Sequence, residues 1–399
     1  MSDYGKEVID PGDRASKLAR EVNFRSFGYC PAVEVIPHQP GNFRGAVGYL
    51  YRPEIYRQMI KRKMFEEAAK DGAGGKPQFH TLVSLPQSFS RLGWEIIAMT
   101  ADDFARSGRF PAIMLNQMDA RAITDENFPL VEAAFMGFGR ALAEAQLISL
   151  TGETAIMKNS ITAFCDTGEP DQLVLTWSGA CLGFAHRDLL LDGSTIRPGM
   201  VIVGVREKKG YRCNGGGLFT KVIQARWGYD PKELVNNAEA VRFAAKLTAP
   251  SRSYARTVTR LLGWQPDGSI GKPLAKIHGI AHITGGGIWG KFGELLPEGV
   301  GADLYNMPKP NETLLEGQEL SWPTKHRLSD WEAHRTLNGG CGMLLVCEDE
   351  RSANVLIGEV KKDYIQAQIV GETVNSPDGI IGIKSRFKEG KQLWSNQPG

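Results

Sequence analysis

A chain of 399 residues is long enough for two domains with filled cores. Its 42% hydrophobic and 23% charged residues are ordinary for a globular protein, and a formal net charge of +2 is too small to select nucleic acid or an anionic membrane as partner. The stretch Met1–Glu7 is too polar for a signal peptide, no segment approaches a membrane span of roughly 18 apolar residues, and the six cysteines are scattered without a C-x-x-C pair, as in a reduced cytoplasmic protein.

In chain order, the helix formers and charges of 53–70 predict a helix that ends in a flexible loop, Asp71-Gly72-Ala73-Gly74-Gly75-Lys76. His80–Ser84 reads as a short strand, and Ile96–Phe104 as a helix carrying Asp102 and Asp103. Val131, Ala134, Phe135, Phe138, Ala141 and Leu142 recur at helical spacing within 130–147. Gln146–Leu150 reads as a strand, directly followed by Thr151-Gly152-Glu153-Thr154-Ala155; another covers Leu173–Trp177 and turns at Ser178-Gly179. The breaks Asp192-Gly193-Ser194 and Arg197-Pro198-Gly199 put a domain boundary near 195, giving domains 1–195 and 196–399. The second half then offers a strand at 200–205, helices around 231–247 and 251–262, a strand-turn at 278–287, and strands near 343–347, 354–359 and 366–370. Strands and helices alternate in both halves, which implies an α/β (α+β) fold. The polar tail 388–399 is expected to fray.

The most telling stretch is His278-Gly279-Ile280-Ala281-His282-Ile283-Thr284-Gly285-Gly286-Gly287. Adjacent glycines belong where the backbone itself approaches a ligand, and their successive N–H groups can form a nest for an anion such as phosphate. The segment also satisfies G-x-G-x-x-G at Gly285–Gly290, but one match deep in the chain does not make a dinucleotide fold, and no G-x-x-x-x-G-K-[ST] is present. Asp102, Asp103 and Glu153 sit where carboxylates could hold Mg²⁺ against substrate phosphates; read alone, they are better explained as solvated helix charges and a turn cap. Arg212-Cys213-Asn214-Gly215-Gly216-Gly217 is a second glycine turn, whose Asn214 amide can hold a polar substrate. A third, Asn338-Gly339-Gly340, follows Trp331–Leu337, and together the three predict one site. His278 and His282 share a strand face but lack a third ligand, which favours structural roles over a metal site. Leu320-Ser321-Trp322-Pro323 suggests an aromatic loop without evident chemistry.

Taken in order, these segments resemble the aminoimidazole ribonucleotide synthetases, the phosphoribosylformylglycinamidine cyclo-ligases of purine synthesis. The resemblance rests on Asp3-Tyr4 with Val8-Ile9-Asp10-Pro11-Gly12-Asp13, on Asp102-Asp103-Phe104 with Gly108 and Pro111, and on Gly152-Glu153-Thr154-Ala155. It continues through Asn214-Gly215, Leu247–Tyr254, Ala281–Gly287 with Leu296-Pro297-Glu298, and Glu332 with Arg335–Asn338 and Gly342-Met343. It implies two α/β domains, the N-terminal sheet forming a barrel across a homodimer, with ATP and Mg²⁺ as cofactors and a small nucleotide substrate. The implied reaction activates a formyl amide oxygen with ATP and closes an imidazole ring. Asp102, Asp103 and Glu153 would then be metal or ATP ligands, Glu153 and Asn214 would act on the substrate, and Thr284 with Gly285, Gly286 and Gly287 would hold phosphate.

The chain also departs from that pattern. Asp71–Lys76 differs from the family's D-G-V-G-T-K at Gly75, and a helix rather than a strand is expected before it, so either Asp71 is the metal-binding aspartate or that ligand is missing. The glycine-rich N-terminal loop shrinks to Gly41–Gly45, and Arg212 stands where many members have histidine. Rival readings are another ATP user of the same superfamily (selenophosphate synthetase, thiamine-monophosphate kinase or a hydrogenase-maturation factor) and a catalytically silent relative. No cysteine precedes Cys30 and the chain ends Gln397-Pro398-Gly399, which speaks against the first and last of those ATP users.

Overall fold

Two separate sheets organise the chain in a computed structural model that describes residues 10–36, 48–319, 327–388 and 390–396. Asp3–Ile9, part of the resemblance, Gly41–Gly45, one of the departures from it, and the loop Leu320–Pro323 lie outside the described residues. So do Glu389 and Gln397–Gly399 of the polar tail.

The first half runs α1 (Pro11–Ser26), β1 (Val33–Ile36), β2 (Gly48–Tyr51), α2 (Pro53–Ile60), β3 (Met64–Gly72), α3 (Pro77–Val83) and α4 (Pro86–Ala105). It continues with β4 (Phe110–Ala120), α5 (Phe128–Ala145), β5 (Ile148–Ile156) and β6 (Leu175–His186). A four-stranded sheet has the order β3-β6-β4-β5, with β4 and β5 parallel and the other pairs antiparallel. Helix α4 packs along α5. Gly179 of β6 lies under α4, where an added Cβ would meet Ile96, and Trp177 packs edge-on to Phe135 of α5. The opposite face is the more open one: Lys70 and Gln117 are exposed.

The second half runs β7 (Val201–Arg206), α6 (Gly216–Trp227), α7 (Pro231–Asn236), α8 (Ala238–Leu247), α9 (Ala255–Leu261), β8 (Ile277–His282) and α10 (Gly287–Gly293). After it come β9 (Val300–Leu304), α11 (Glu312–Glu319), α12 (Asp330–Thr336), β10 (Cys341–Cys347), α13 (Glu350–Lys362), β11 (Ala367–Asn375), β12 (Ile381–Lys384) and β13 (Gln392–Trp394). A seven-stranded sheet has the order β13-β12-β9-β11-β7-β10-β8, antiparallel except where β12 joins β9. The expected α/β (α+β) architecture with two domains is therefore present. No helix among the described residues is long and apolar enough to cross a membrane.

Several expected elements differ. The helix expected over 53–70 stops at Ile60; Arg62 takes a left-handed φ of 56°, and Met64–Gly72 pairs with β6 along its whole length. A strand therefore leads into Asp71–Lys76, not a helix. His80–Ser84 is not a strand but the end of α3, closed by Ser84 at φ 49°. The strand at 173–177 does not turn at Ser178-Gly179 but continues to His186, because that stretch pairs with both β3 and β4. Glu153 lies within a strand rather than after one. The helix around 231–247 is two helices, divided at Asn237, whose side chain accepts from Glu239 and Ala240 N–H. Residues 354–359 are helical, since Asp349 caps α13 through Ser352 N–H and Ala353, Leu356 and Val360 bury one face.

Candidate functional site

Four turns converge where the two halves meet. The segment after β3 is held by Ala73 N–H donating to Trp177 O at 3.0 Å, and it turns at Gly74 with φ 53°. An added Cβ on Gly74 would touch Cys213, and one on Gly216 would approach Gly75. The Arg212–Gly217 turn is joined to the triple-glycine turn by Asn214 Nδ2 donating to Ile283 O at 3.2 Å. Gly287, at φ 62°, lies against the backbone of His334 and Arg335, so a Cβ there has no room. Gly215 packs near Thr336 and Leu337 at the head of the Asn338 turn.

The two neighbouring aspartates of α4 do opposite things, because successive helical residues point about 100° apart. Asp102 faces inward and is fully buried. Its Oδ2 accepts from Arg212 Nη2 at 2.7 Å, and its Oδ1 accepts from the Tyr254 and Ala255 N–H groups at 2.7 Å each and from Ser253 Oγ at 3.0 Å. Burial pushes its carboxyl up to about 6 against the pull of Arg212 and these donors, which leaves it ionised at neutral pH. Both oxygens of Asp102, expected as a metal or ATP ligand, are thus engaged inside the protein.

Asp103 faces the cleft and is partly exposed. Its Oδ1 lies 2.8 Å from His282 Nδ1 and 3.2 Å from Arg106 Nε. The other ring nitrogen of His282 lies 2.6 Å from Arg212 Nη2 and 3.2 Å from its Nε, and guanidinium N–H can only donate. His282 Nε2 is therefore the acceptor and its Nδ1–H donates to Asp103. Burial and the Arg212 charge lower the imidazole to about 4, so the ring is neutral. Burial alone would raise Asp103, but the His282 hydrogen bond with the Arg106 and Lys291 charges holds it below the ordinary carboxylate value. His278 takes different partners, Thr195 and Glu348, so the two histidines do not share a ligand.

Asp71 is raised by burial and by the Asp103 charge, while the Gly72 N–H bond and Lys291 oppose the rise. The Asp103 charge thus reaches Asp71, and the Lys291 charge reaches both carboxylates. Beside them, Gly285 and Gly286 are exposed, with open space around Gly285, and their N–H groups donate to no described residue. Thr284 lines the same turn. Asn214 has its amide nitrogen engaged and its carbonyl oxygen without a described partner. Among the described residues no group of three or more His, Cys, Asp or Glu could hold a metal ion alone.

Glu153 stands apart. Register places Asp71, Gly179, Asn116 and Gly152 in one row across the sheet, and Gly72, Ser178, Gln117 and Glu153 in the next. Adjacent rows point to opposite faces, so Glu153 lies on the open face, roughly 14 Å from Asp71 at three strand spacings. One chain does not bring it to the other carboxylates.

Sequence reasoning missed the buried ions that support the cleft. Lys76 Nζ donates to Glu95 Oε1 and to Ala249 O, each at 2.7 Å, and Glu95 in turn accepts from Ser251 N–H and Oγ. Arg212 also reaches Glu207 Oε2 at 3.1 Å and Arg252 O at 2.6 Å. No local pattern marks Glu95 or Glu207; only the fold pairs them. Lys291 is one helical turn beyond Gly287, and that spacing was the available signal.

Residues 269–384 match the family described as AIR synthase related protein, C-terminal domain. That span carries His282, the Thr284–Gly287 turn, Lys291 and Asn338. Beyond it, the chain is 29% identical over 291 residues to a phosphoribosylformylglycinamidine cyclo-ligase of Sorangium cellulosum, covering 72% of this chain and 75% of the relative. It is 27% identical over 318 residues to the protein of that name from Geobacter metallireducens, covering 79% and 81%. Among solved structures it resembles hydrogenase maturation protein HypE in complex with ATP, with a TM-score of 0.58 at 14% identity, covering 100% of this chain and 96% of that one. The thiamine-monophosphate kinase of Stenotrophomonas maltophilia aligns with a TM-score of 0.53 at 14% identity, covering 91% and 95%. The structural likenesses establish a shared two-domain fold.

Proposed function

We propose that this chain is an ATP-using enzyme of the aminoimidazole ribonucleotide synthetase type, closing the imidazole ring of aminoimidazole ribonucleotide from formylglycinamidine ribonucleotide. The observation that carries the reading is the meeting of Asp71, Asp103 and Lys291 with the unengaged N–H groups of Gly285 and Gly286. The names of the cyclo-ligase relatives and the ATP of the HypE structure support it.

Two carboxylates facing one cleft suit Mg²⁺, which is commonly held by one or two carboxylates together with substrate phosphates. Asp71 and Asp103 would hold it, and when bound it neutralises phosphate charge. His282 keeps Asp103 oriented and ionised; Lys291 and the Gly285–Gly286 amides offer positive potential to the transferred group; Thr284 and the Asn214 oxygen offer polar contacts to substrate. Holding both reacting groups of one substrate in one site supplies proximity. We assign nucleotide binding and dimerisation to 1–195 and substrate contacts to 196–399, in a cytoplasmic homodimer. Glu153 has no part in this reading of a single chain.

Arg212 favours a second reading. It stands where many cyclo-ligases have histidine and is buried among Asp102, Glu207 and His282, so it cannot act on substrate. That points to a different ATP-dependent phosphoryl transfer on the same scaffold.

One assay separates the two. Purified protein receives formylglycinamidine ribonucleotide, ATP and Mg²⁺, and ADP and imidazole product are both measured. The cyclo-ligase reading expects the two in equal amounts; ADP only with other acceptors selects the second reading, and no ADP with any acceptor rejects both. Asp71→Asn and Asp103→Asn are each expected to cut turnover by about a hundredfold or more, the scale of losing a transition-state contact, without lowering the melting temperature. Undiminished turnover in either variant removes that residue from the site.

A further inference from the structure

A second charged cleft opens elsewhere on the seam between the halves, with a cavity of about 480 Å³. Arg91 and Trp94 of α4 form one wall, Arg206–Lys209 at the end of β7 another, and Tyr364 with Gln366 the rim. Its floor is Glu207 and Ser251. Those two residues also hold Arg212 and Glu95, so a layer of buried ion pairs lies between this cleft and the glycine turns.

The charge here is unbalanced. Arg91, Arg206, Lys208, Lys209 and Arg252 line the cavity against two carboxylates, Glu144 and Glu207. Glu207 is engaged by Arg212 inside the protein, and Glu144 pairs with Arg252 Nε at 3.8 Å and accepts from Trp94 Nε1 at 3.4 Å, which leaves Arg91, Arg206, Lys208 and Lys209 as the excess. The whole chain carries a net charge of only +2, so the cleft concentrates an excess the rest of the surface does not share. Arg91, Lys208 and Lys209 form no hydrogen bond or ion pair with any described residue, and both lysines are exposed. Cations left unpaired at one concave site are positioned for a multiply charged anion.

The cleft also offers flat surfaces. Trp94 is half-buried with the Arg140 guanidinium 5.7 Å from its ring centre. Tyr364 is 93% exposed and is held at φ 58°, a conformation that disfavours residues with a Cβ. That backbone is the left-handed turn closing α13, with Ile365 N–H donating to Val360 O at 3.3 Å, and it leaves the Tyr364 ring in water next to unpaired cations, an arrangement that fits a planar ring attached to phosphate. The volume is that of a small-molecule site, not of a groove that tracks a strand.

We propose that this cleft is a separate binding site for a nucleotide, with its phosphates against Arg91, Lys208 and Lys209 and its ring against Trp94 or Tyr364. It is independent of the reaction proposed for the glycine-rich site.

Photolabelling of the full-length protein with 8-azido-ADP, followed by mass-spectrometric assignment of the labelled residue, locates bound nucleotide at each site separately, since Trp94 and Asp103 share helix α4. The expected result is label on Trp94, on Tyr364 or on their immediate neighbours. Lys208→Glu/Lys209→Glu should reduce that label about tenfold or more by reversing the charge that faces the phosphates, and raising salt from roughly 50 to 200 mM should weaken it by screening. Circular dichroism of the variant verifies its fold. Label confined to peptides of the glycine turns, label absent from the cleft, or cleft label unchanged in the charge variant overturns the proposal. Displacement by a single-stranded decanucleotide at lower concentration than by ADP overturns it in favour of a nucleic-acid surface. Absence of label at the glycine turns with label at the cleft would count against the ATP-site reading alone.

Discussion

Whether a charge is already spent decides what a residue can do here, and Arg212 shows it most clearly. Its guanidinium donates to Asp102, Glu207, His282 and the Arg252 carbonyl while wholly buried, and it lies 4.7 Å from the Tyr254 ring centre. Its backbone and that of Cys213 are left-handed, at φ 52° and 58°, a cost of about 1–2 kcal/mol each that the surrounding bonds must offset. Removing one partner of such a cluster is far costlier than the cluster's net worth, because buried charge is left uncompensated. Arg212→Met should therefore lose about 3–5 kcal/mol in urea unfolding, and adding Asp102→Asn should recover part of it. A loss under about 1 kcal/mol, the range of an exposed pair, would show that the cluster is not what holds the seam. The sequence identified Asp102-Asp103 as a pair but could not tell them apart. Which one turns inward depends on Arg212, Tyr254 and Ala255, over a hundred residues away.

Elements were legible wherever the apolar period was long and matched the packing. The spacing in 130–147 carried through to α5, whose face of Val131, Ala134, Phe135 and Phe138 is buried. Met64–Gly72 was not legible, because Met, Glu, Ala and Lys favour a helix and only pairing with β6 makes a strand of them. That one misreading hid the strand before Asp71, and with it the position of a site carboxylate. The helix pair α4–α5 carries a signal of another kind. An added Cβ on Gly93 would fall inside the backbone at Phe138, and one on Gly137 inside the backbone at Ser90. The glycines let the helices cross at close range, so Gly93→Ala should destabilise by about 1–3 kcal/mol or more through overpacking. Gly358→Ala in α13 is the contrast: an added Cβ there meets nothing, and relief of backbone entropy should stabilise by about 0.5–1 kcal/mol. Thermal melts of the two variants should shift in opposite directions; a shared direction would mean that close approach is not the reason for Gly93.

Across the whole molecule, the two sheets part between His186 and Val201, but the interior does not. One apolar cluster runs from Ile96, Phe138 and Trp177 to Val203, Val258, Trp264 and Leu345. Trp264 packs on Phe110 and Phe184, and its Nε1 donates to Gly108 O at 3.0 Å. The polar links across the seam are buried as well: Lys76 to Ala249, Glu95 to Ser251, and Asp102 to Arg212. A 1–195 fragment would expose that apolar surface, strip Asp102 of all its donors from Arg212 and 253–255, and take the Ser251 donors from Glu95. A chain of this length would ordinarily be expected to unfold domain by domain. The shared interior instead predicts one transition, with far-UV circular dichroism and tryptophan fluorescence giving the same urea midpoint. The fluorescence samples both halves, since Trp94 and Trp177 lie in one and Trp227, Trp264 and Trp289 in the other. The 1–195 fragment should give a poorly dispersed amide spectrum. Two separated transitions, or a fragment with native-like dispersion, would mean that each half carries its own core and that the ion layer joins two finished domains.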